Sequence, residues 1–176
     1  MLRLLTPVIA LLLFTLSTNA FADVVNQSKH GFTLSGSING TLSAKQVWAE
    51  LIAIDKWWSD SHTYSGSANN LYLDLYDKNC FCEKWQDNWV EHLRIVNVQP
   101  NKILILQGGL GPLQTLAING SLIIELNSLP TGQTRLNWQY HVVAYDGNNI
   151  EQWPTPVDSV ITEQMQRLAI RINKSD

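Results

Sequence analysis

The sequence predicts an α+β domain in which one antiparallel sheet of about seven strands curls around a long C-terminal helix. Three observations carry this prediction. Between residues 71 and 145 short apolar and alternating runs are broken by turn residues at intervals that leave room only for hairpins. The last of these runs alternates cleanly, with Leu136, Trp138, Tyr140 and Val142 on one side and Arg135, Asn137, Gln139 and His141 on the other. One face of the sheet is therefore covered and the other wet. The cover comes from the end of the chain, where Val157, Val160, Ile161, Met165, Leu168 and Ile172 form a stripe at helical spacing.

The elements follow in order. Residues 1–22 read as a secretory signal peptide: Arg3, an apolar run from Leu4 to Leu16, then Ala20-Phe21-Ala22 as the cleavage end. The run is too short for a bilayer span, which takes about 20 apolar residues, so no stable membrane anchor is expected after cleavage. Residues 23–176 form a single domain, long enough to bury its own core. Its first strand runs from Lys29 to Ile38, with Gly36 marking a bulge. A turn at Asn39-Gly40 leads to Ser43 and Gln46, a capping box that opens a helix through Val47, Trp48, Leu51 and Ile54. Asp55 to Trp58 begins a second helical turn. Strands follow at Leu71–Tyr76, Cys80–Trp85, Val90–Val98, Ile103–Gly108, Ala117–Leu126 and Gln133–Tyr145. In the terminal helix Thr155 caps, Pro156 takes the first helical position and Asp158 favours the positive end, and the helix reaches close to Asn173.

Charge and composition exclude some partners. Lys and Arg total 12 against 15 Asp and Glu, for a net charge of −3, and loss of Arg3 with the leader makes the mature domain more negative. No cluster of basic residues is present to displace counterions, so nucleic acid and anionic membrane surfaces are not expected partners. Export places the protein in the periplasm or outside the cell. Seven tryptophans exceed what a core of this size needs, and large rigid rings suit a pocket that must stay open. A curved sheet cannot lie flat along a helix, so a hollow between them is the expected place for a small ligand.

Four stretches carry a family resemblance: Trp57 through Gly66 (WWSDSHTYSG), Cys80-Phe81-Cys82-Glu83, Gly109 through Gln114 (GLGPLQ), and Pro156-Val157-Asp158. With the element order, they resemble the helix-grip proteins of the START and Bet v 1-like (SRPBCC, polyketide cyclase/dehydrase and lipid-transport) superfamily, in particular an exported bacterial subgroup. The resemblance spans nearly all of the mature chain. It implies a central cavity for an apolar or amphipathic molecule and implies no particular reaction, because function lives in the site rather than the fold.

Candidate residues have competing readings. Cys80 and Cys82 share a strand face about 7 Å apart, whereas a disulfide wants Cα atoms about 4.4 to 6.8 Å apart. They read as buried thiols, as a disulfide closed by a pucker in the strand, as half a metal site with Glu83, His62, His92 or His141, or as a nucleophile with His92 as base. No metal set or cofactor motif is complete. Glu83 lies on the opposite face with Phe81 and Trp85. If that face is inward, its carboxyl is desolvated unless Arg94 or Lys84 pairs with it. His62 and Tyr64, beside Trp57-Trp58 in a polar loop, are placed at a cavity mouth. Gly108 to Leu113 fails the phosphate-loop pattern and reads as a break at the cavity rim. Asn39-Gly40-Thr41 and Asn119-Gly120-Ser121 match glycosylation sequons, but Asn-Gly is first a turn signal.

The expected function is an exported binding protein holding an apolar or amphipathic small molecule, lipid- or polyketide-like, with Trp58, His62, Tyr64, Trp85, Trp138, Tyr140 and Met165 around it. The alternative is a cyclase, isomerase or hydrolase in the same cavity. There Glu83 or His62 is the general base and Tyr64 or Tyr140 the donor to a developing oxyanion. A third reading is an envelope module that binds proteins through exposed tryptophans. No feature of the sequence reports an oligomeric state.

Overall fold

A computed structural model describes residues 23–173. The leader expected over residues 1–22 lies outside the described residues. Within them, β1 (Asp23–Ser28) and β2 (Gly31–Gly40) lead to α1 (Ala44–Ile52). Three short 3-10 turns over 54–70 follow, then β3 (Leu71–Asp74), β4 (Cys80–Trp85), β5 (Asn88–Gln99) and β6 (Ile103–Gln107). A 3-10 turn at Gly111–Thr115, β7 (Ile118–Ser128), β8 (Thr134–Ala144) and α2 (Pro154–Ile172) complete the chain. The strands form one antiparallel sheet in the order β1-β2-β8-β7-β6-β5-β4-β3. This is the helix-grip arrangement, with eight strands rather than seven.

The extra strand is β1. Residues Val24 to Ser28 are all exposed, so they carry no alternation to read, and only the backbone ladder to β2 makes them a strand. Lys29 and His30 become the hairpin turn. Gly36 marks no bulge, because the β2–β8 register runs unbroken from Gly31 to Gly40. It sits opposite Trp138, and a Cβ there would stand 2.8 Å from the indole. The glycine makes room for the ring.

The capping box opens α1 as expected, with the Gln46 side chain accepting from the Ser43 amide at 3.1 Å. Helix α2 begins earlier than Thr155. Trp153 is its N-cap, and both Pro154 and Pro156 fall where backbone amides lack helical partners. At the other end the Ile172 carbonyl accepts from the Thr41 amide at 3.1 Å, and Arg171 pairs with Glu50 of α1. Leu136, Trp138, Tyr140 and Val142 of β8 are buried together with Met165, Leu168 and Ile172 of α2. Among the described residues, these side chains of the sheet and of the C-terminal half of the helix pack into one buried core.

Candidate functional site

A cavity of about 310 Å³ remains at the other end of α2. Its walls come from the segment Trp58–Tyr64, from His92 of β5, from the rim Leu110–Leu113, and from Trp153, Pro156, Val157 and Val160 at the start of α2. The lining is mainly apolar and aromatic, and among the described residues it contains no lysine, arginine or carboxylate. Its volume is at the lower end of ordinary small-ligand sites, which run from about 300 to 1,000 Å³.

Four polar side chains hold these walls from behind, each by bonding main-chain groups. Glu83, fully buried, accepts from the Tyr64 amide at 3.0 Å and the Ser65 amide at 2.6 Å. Tyr140 accepts from the Leu110 amide at 3.1 Å and donates to the Gly108 carbonyl at 2.9 Å. Its burial, only partly offset by the Leu110 amide, pushes the phenol up to about 12. Gln164 accepts from the Ser59 amide at 2.7 Å. Arg167 donates to the carbonyls of Trp57 at 2.6 Å and Trp58 at 3.5 Å. Glycine is needed behind the rim: a Cβ on Gly120 would collide with the Gly108 carbonyl and stand 2.8 Å from the Tyr140 hydroxyl. Asn119-Gly120 is accordingly inside β7 and not at a turn.

Glu83 also meets His92, with Oε2 and Nε2 2.9 Å apart and both side chains buried. Phe81 and Glu83 therefore point inward, and neither Arg94 nor Lys84 pairs with the carboxylate; Arg94 bonds Glu91 instead. Burial raises the Glu83 pKa, but hydrogen bonds from Ser65, the Tyr64 amide and His92 outweigh it and hold the carboxyl below its ordinary value. Burial lowers the His92 pKa by more than Glu83 raises it. The stable state is an ionised Glu83 and a neutral His92. An ionised carboxylate only accepts, so Nε2 must carry the ring proton and Nδ1 is left as an acceptor. The ring is fixed between Phe81, at 4.7 Å and 28°, and Tyr64, at 5.6 Å and 24°.

A β-bulge brings His92 here. Phe81 pairs with Leu93 but Cys82 pairs with Glu91, so β5 carries one extra residue and both His92 and Leu93 turn inward. Regular alternation would have put Glu91 beside Leu93 on the buried face. The cost of burying that carboxylate without a partner was the signal in the sequence for a bulge.

The other sequence-derived candidates separate clearly. Trp58, His62 and Tyr64 line the cavity. His62 meets Glu163 of α2 at 2.9 Å, both partly exposed at the mouth. Burial raises the Glu163 carboxyl, and Ser59, His62 and Arg167 bring it below its ordinary value. Trp85, Trp138, Tyr140 and Met165 do not line the cavity. Trp138, Tyr140 and Met165 fill the core because β8 and α2 pack directly there, and Trp85 stands at the β4–β5 hairpin. Glu83 contacts the cavity only through His92 and Tyr64. Of the seven tryptophans only Trp89 is exposed, at 49%.

Cys80 and Cys82 form a disulfide with Cα atoms 5.4 Å apart, on the face of β4 opposite Glu83. The strand puckers next to the bulge, which brings the Cα atoms within bridging range. With both sulfurs joined, the thiol, thiolate-ligand and nucleophile readings fall away.

No sequence-family model matches the chain, and no curated protein sequence matches it. Among solved structures it is similar to the conserved protein of unknown function EF2215 from Enterococcus faecalis, with a TM-score of 0.56 at 14% identity, covering 89% of this chain and 78% of that one. CalU16 from Micromonospora echinospora gives 0.54 at 12% identity, covering 89% and 84%. The di-domain ARO/CYC StfQ from the steffimycin biosynthetic pathway gives 0.54 at 13% identity, covering 82% of this chain and 51% of that one. These likenesses show the helix-grip fold.

Proposed function

We propose that the protein is an exported binding protein that holds a small apolar or amphipathic molecule in the cavity at the start of α2. The observation that carries this reading is a mainly apolar cavity of about 310 Å³ whose walls are fixed from behind and whose lining includes the His92 ring. Likeness to the ARO/CYC StfQ of the steffimycin biosynthetic pathway supports it at the level of fold. Export is supported by the leader pattern of residues 1–22 and by the Cys80–Cys82 disulfide, since such bonds persist in oxidising compartments. The cavity is smaller than a hollow running the length of the helix, so it favours a compact ligand over a long acyl chain.

A second reading has one specific observation behind it. The Glu83–His92 pair has the form of a carboxylate-oriented imidazole, which serves as a general base when a reacting proton lies within reach. A cyclase-type step would then use His92 as base, with Glu83 positioning it.

The test is mass spectrometry of the protein purified from the periplasm of a bacterial host, under native and then denaturing conditions. The binding reading predicts a small bound mass that is lost on denaturation. A native mass equal to the bare chain, from a preparation that also binds no apolar probe, overturns it.

A further inference from the structure

The cavity contains a chemical asymmetry that narrows the ligand class. Among the described residues, its wall has no lysine or arginine. The nearest arginine on α2, Arg167, is committed to the carbonyls of Trp57 and Trp58, and the mouth histidine, His62, is committed to Glu163. Two carboxylates stand close behind the wall, Glu83 through the His92 ring and Glu163 through His62. His92 itself has a single ring hydrogen bond among the described residues, the one from Nε2 to Glu83. Nδ1 therefore has no protein partner, on a ring that forms part of the cavity wall.

A lone pair held in an apolar enclosure rewards a donor and penalises an anion. A ligand hydroxyl would give Nδ1 the bond it lacks. A ligand carboxylate would face that lone pair with no cation among the lining residues, and the unpaired Nε1–H of Trp153 on the same wall is neutral and leaves its charge uncompensated, the costly arrangement for a buried charge. Glu83 also polarises the imidazole, making Nδ1 a better acceptor. We infer that His92 Nδ1 is the polar anchor of this cavity and that it selects a neutral ligand carrying a hydroxyl donor on an apolar body, a phenol or alcohol, over the corresponding carboxylate. This rests on the small-molecule binding reading and adds the ligand's polar group to it.

Three probes of one shape separate the possibilities: 2-naphthol, its methyl ether 2-methoxynaphthalene, and 2-naphthoate, each titrated calorimetrically into the oxidised protein at pH 7. The expected order is naphthol tightest, the ether weaker by about tenfold for the lost hydrogen bond, and naphthoate without detectable binding. Equal affinity for naphthol and its ether overturns the anchor while leaving the apolar cavity as a binding site. Naphthoate binding as well as naphthol overturns the selectivity. Binding of none of the three overturns the anchor, and the native mass of the same preparation decides the binding reading separately. In the variant His92→Phe, which keeps a ring between Tyr64 and Phe81, the advantage of naphthol over its ether should vanish; its persistence would overturn the assignment to Nδ1. Should that variant not fold, the wild-type series alone decides.

Discussion

Along the C-terminal half of α2, Met165, Leu168 and Ile172 are sealed against the sheet and α1, whereas Pro156, Val157 and Val160 in its first turns face an open cavity. The same helix thus closes a dry core at one end and a pocket at the other. The difference lies in what opposes it. At the packed end the opposing surface is side chains, which interdigitate until no space is left. At the open end the opposing surface is loops, and Glu83, Tyr140, Gln164 and Arg167 hold those loops by their backbones. Hydrogen-bonded main chain keeps its distance, so the pocket survives without side chains filling it.

If the packed end is structural only, Leu168→Ala should cost about 3 kcal/mol of stability for its buried side chain and leave probe affinity unchanged. Denaturant unfolding and a naphthol titration on the same sample check this, and a large loss of affinity would break the contrast. Glu83→Gln should cost about 2 kcal/mol, because one amide cannot satisfy two backbone donors and the His92 N–H at once. It should also weaken binding, which Leu168→Ala should not.

The pH dependence separates the ends further. The folded pKa of His92 is below its ordinary 6.5. Its contribution to stability is therefore present above that value and lost as pH falls through the folded pKa. The folded pKa of Glu83 is likewise below 4.5, so a second loss follows at more acid pH. Unfolding free energies measured from pH 8 to pH 3 should show both losses in the wild type and the first should be missing in His92→Phe. An unchanged upper step would assign it to another group.

Tyr140→Phe should cost about 1 kcal/mol, the net value of a typical hydrogen bond, and loosen the rim at Leu110, seen as faster amide exchange there than in β8. Tyr64→Leu is the smallest change. The residue is half exposed, so stability should move by less than about 0.5 kcal/mol, while naphthol binding weakens as His92 loses its cover. An effect on stability larger than on binding would mean that Tyr64 belongs to the core.

Much of the packed end was legible in the sequence. The alternation of β8, the stripe on α2 and the Ser43–Gln46 box each express one local period or motif, and the structure keeps them. Strand β1 was not legible because its side chains from Val24 to Ser28 are exposed, so it carries no hydrophobic period. The pocket was legible in part. Trp58, His62 and Tyr64 fall in a polar loop flanked by tryptophans and do line it, but the polar groups that frame it act through the backbone, which leaves no pattern in residue types. His92 depends on a bulge, a slip of register between β4 and β5. Its trace in the sequence is indirect, a glutamate where regular alternation demands an apolar residue.

The role of His92 in the cavity is tested most directly by the protonation of its ring, read from imidazole ¹⁵N chemical shifts at pH 7 with and without 2-naphthol. The expected ring is neutral, with the proton on Nε2 and an unprotonated Nδ1 whose resonance moves as a hydrogen bond from the ligand forms. A ring protonated at Nδ1, or an Nδ1 resonance indifferent to saturating naphthol, would contradict it.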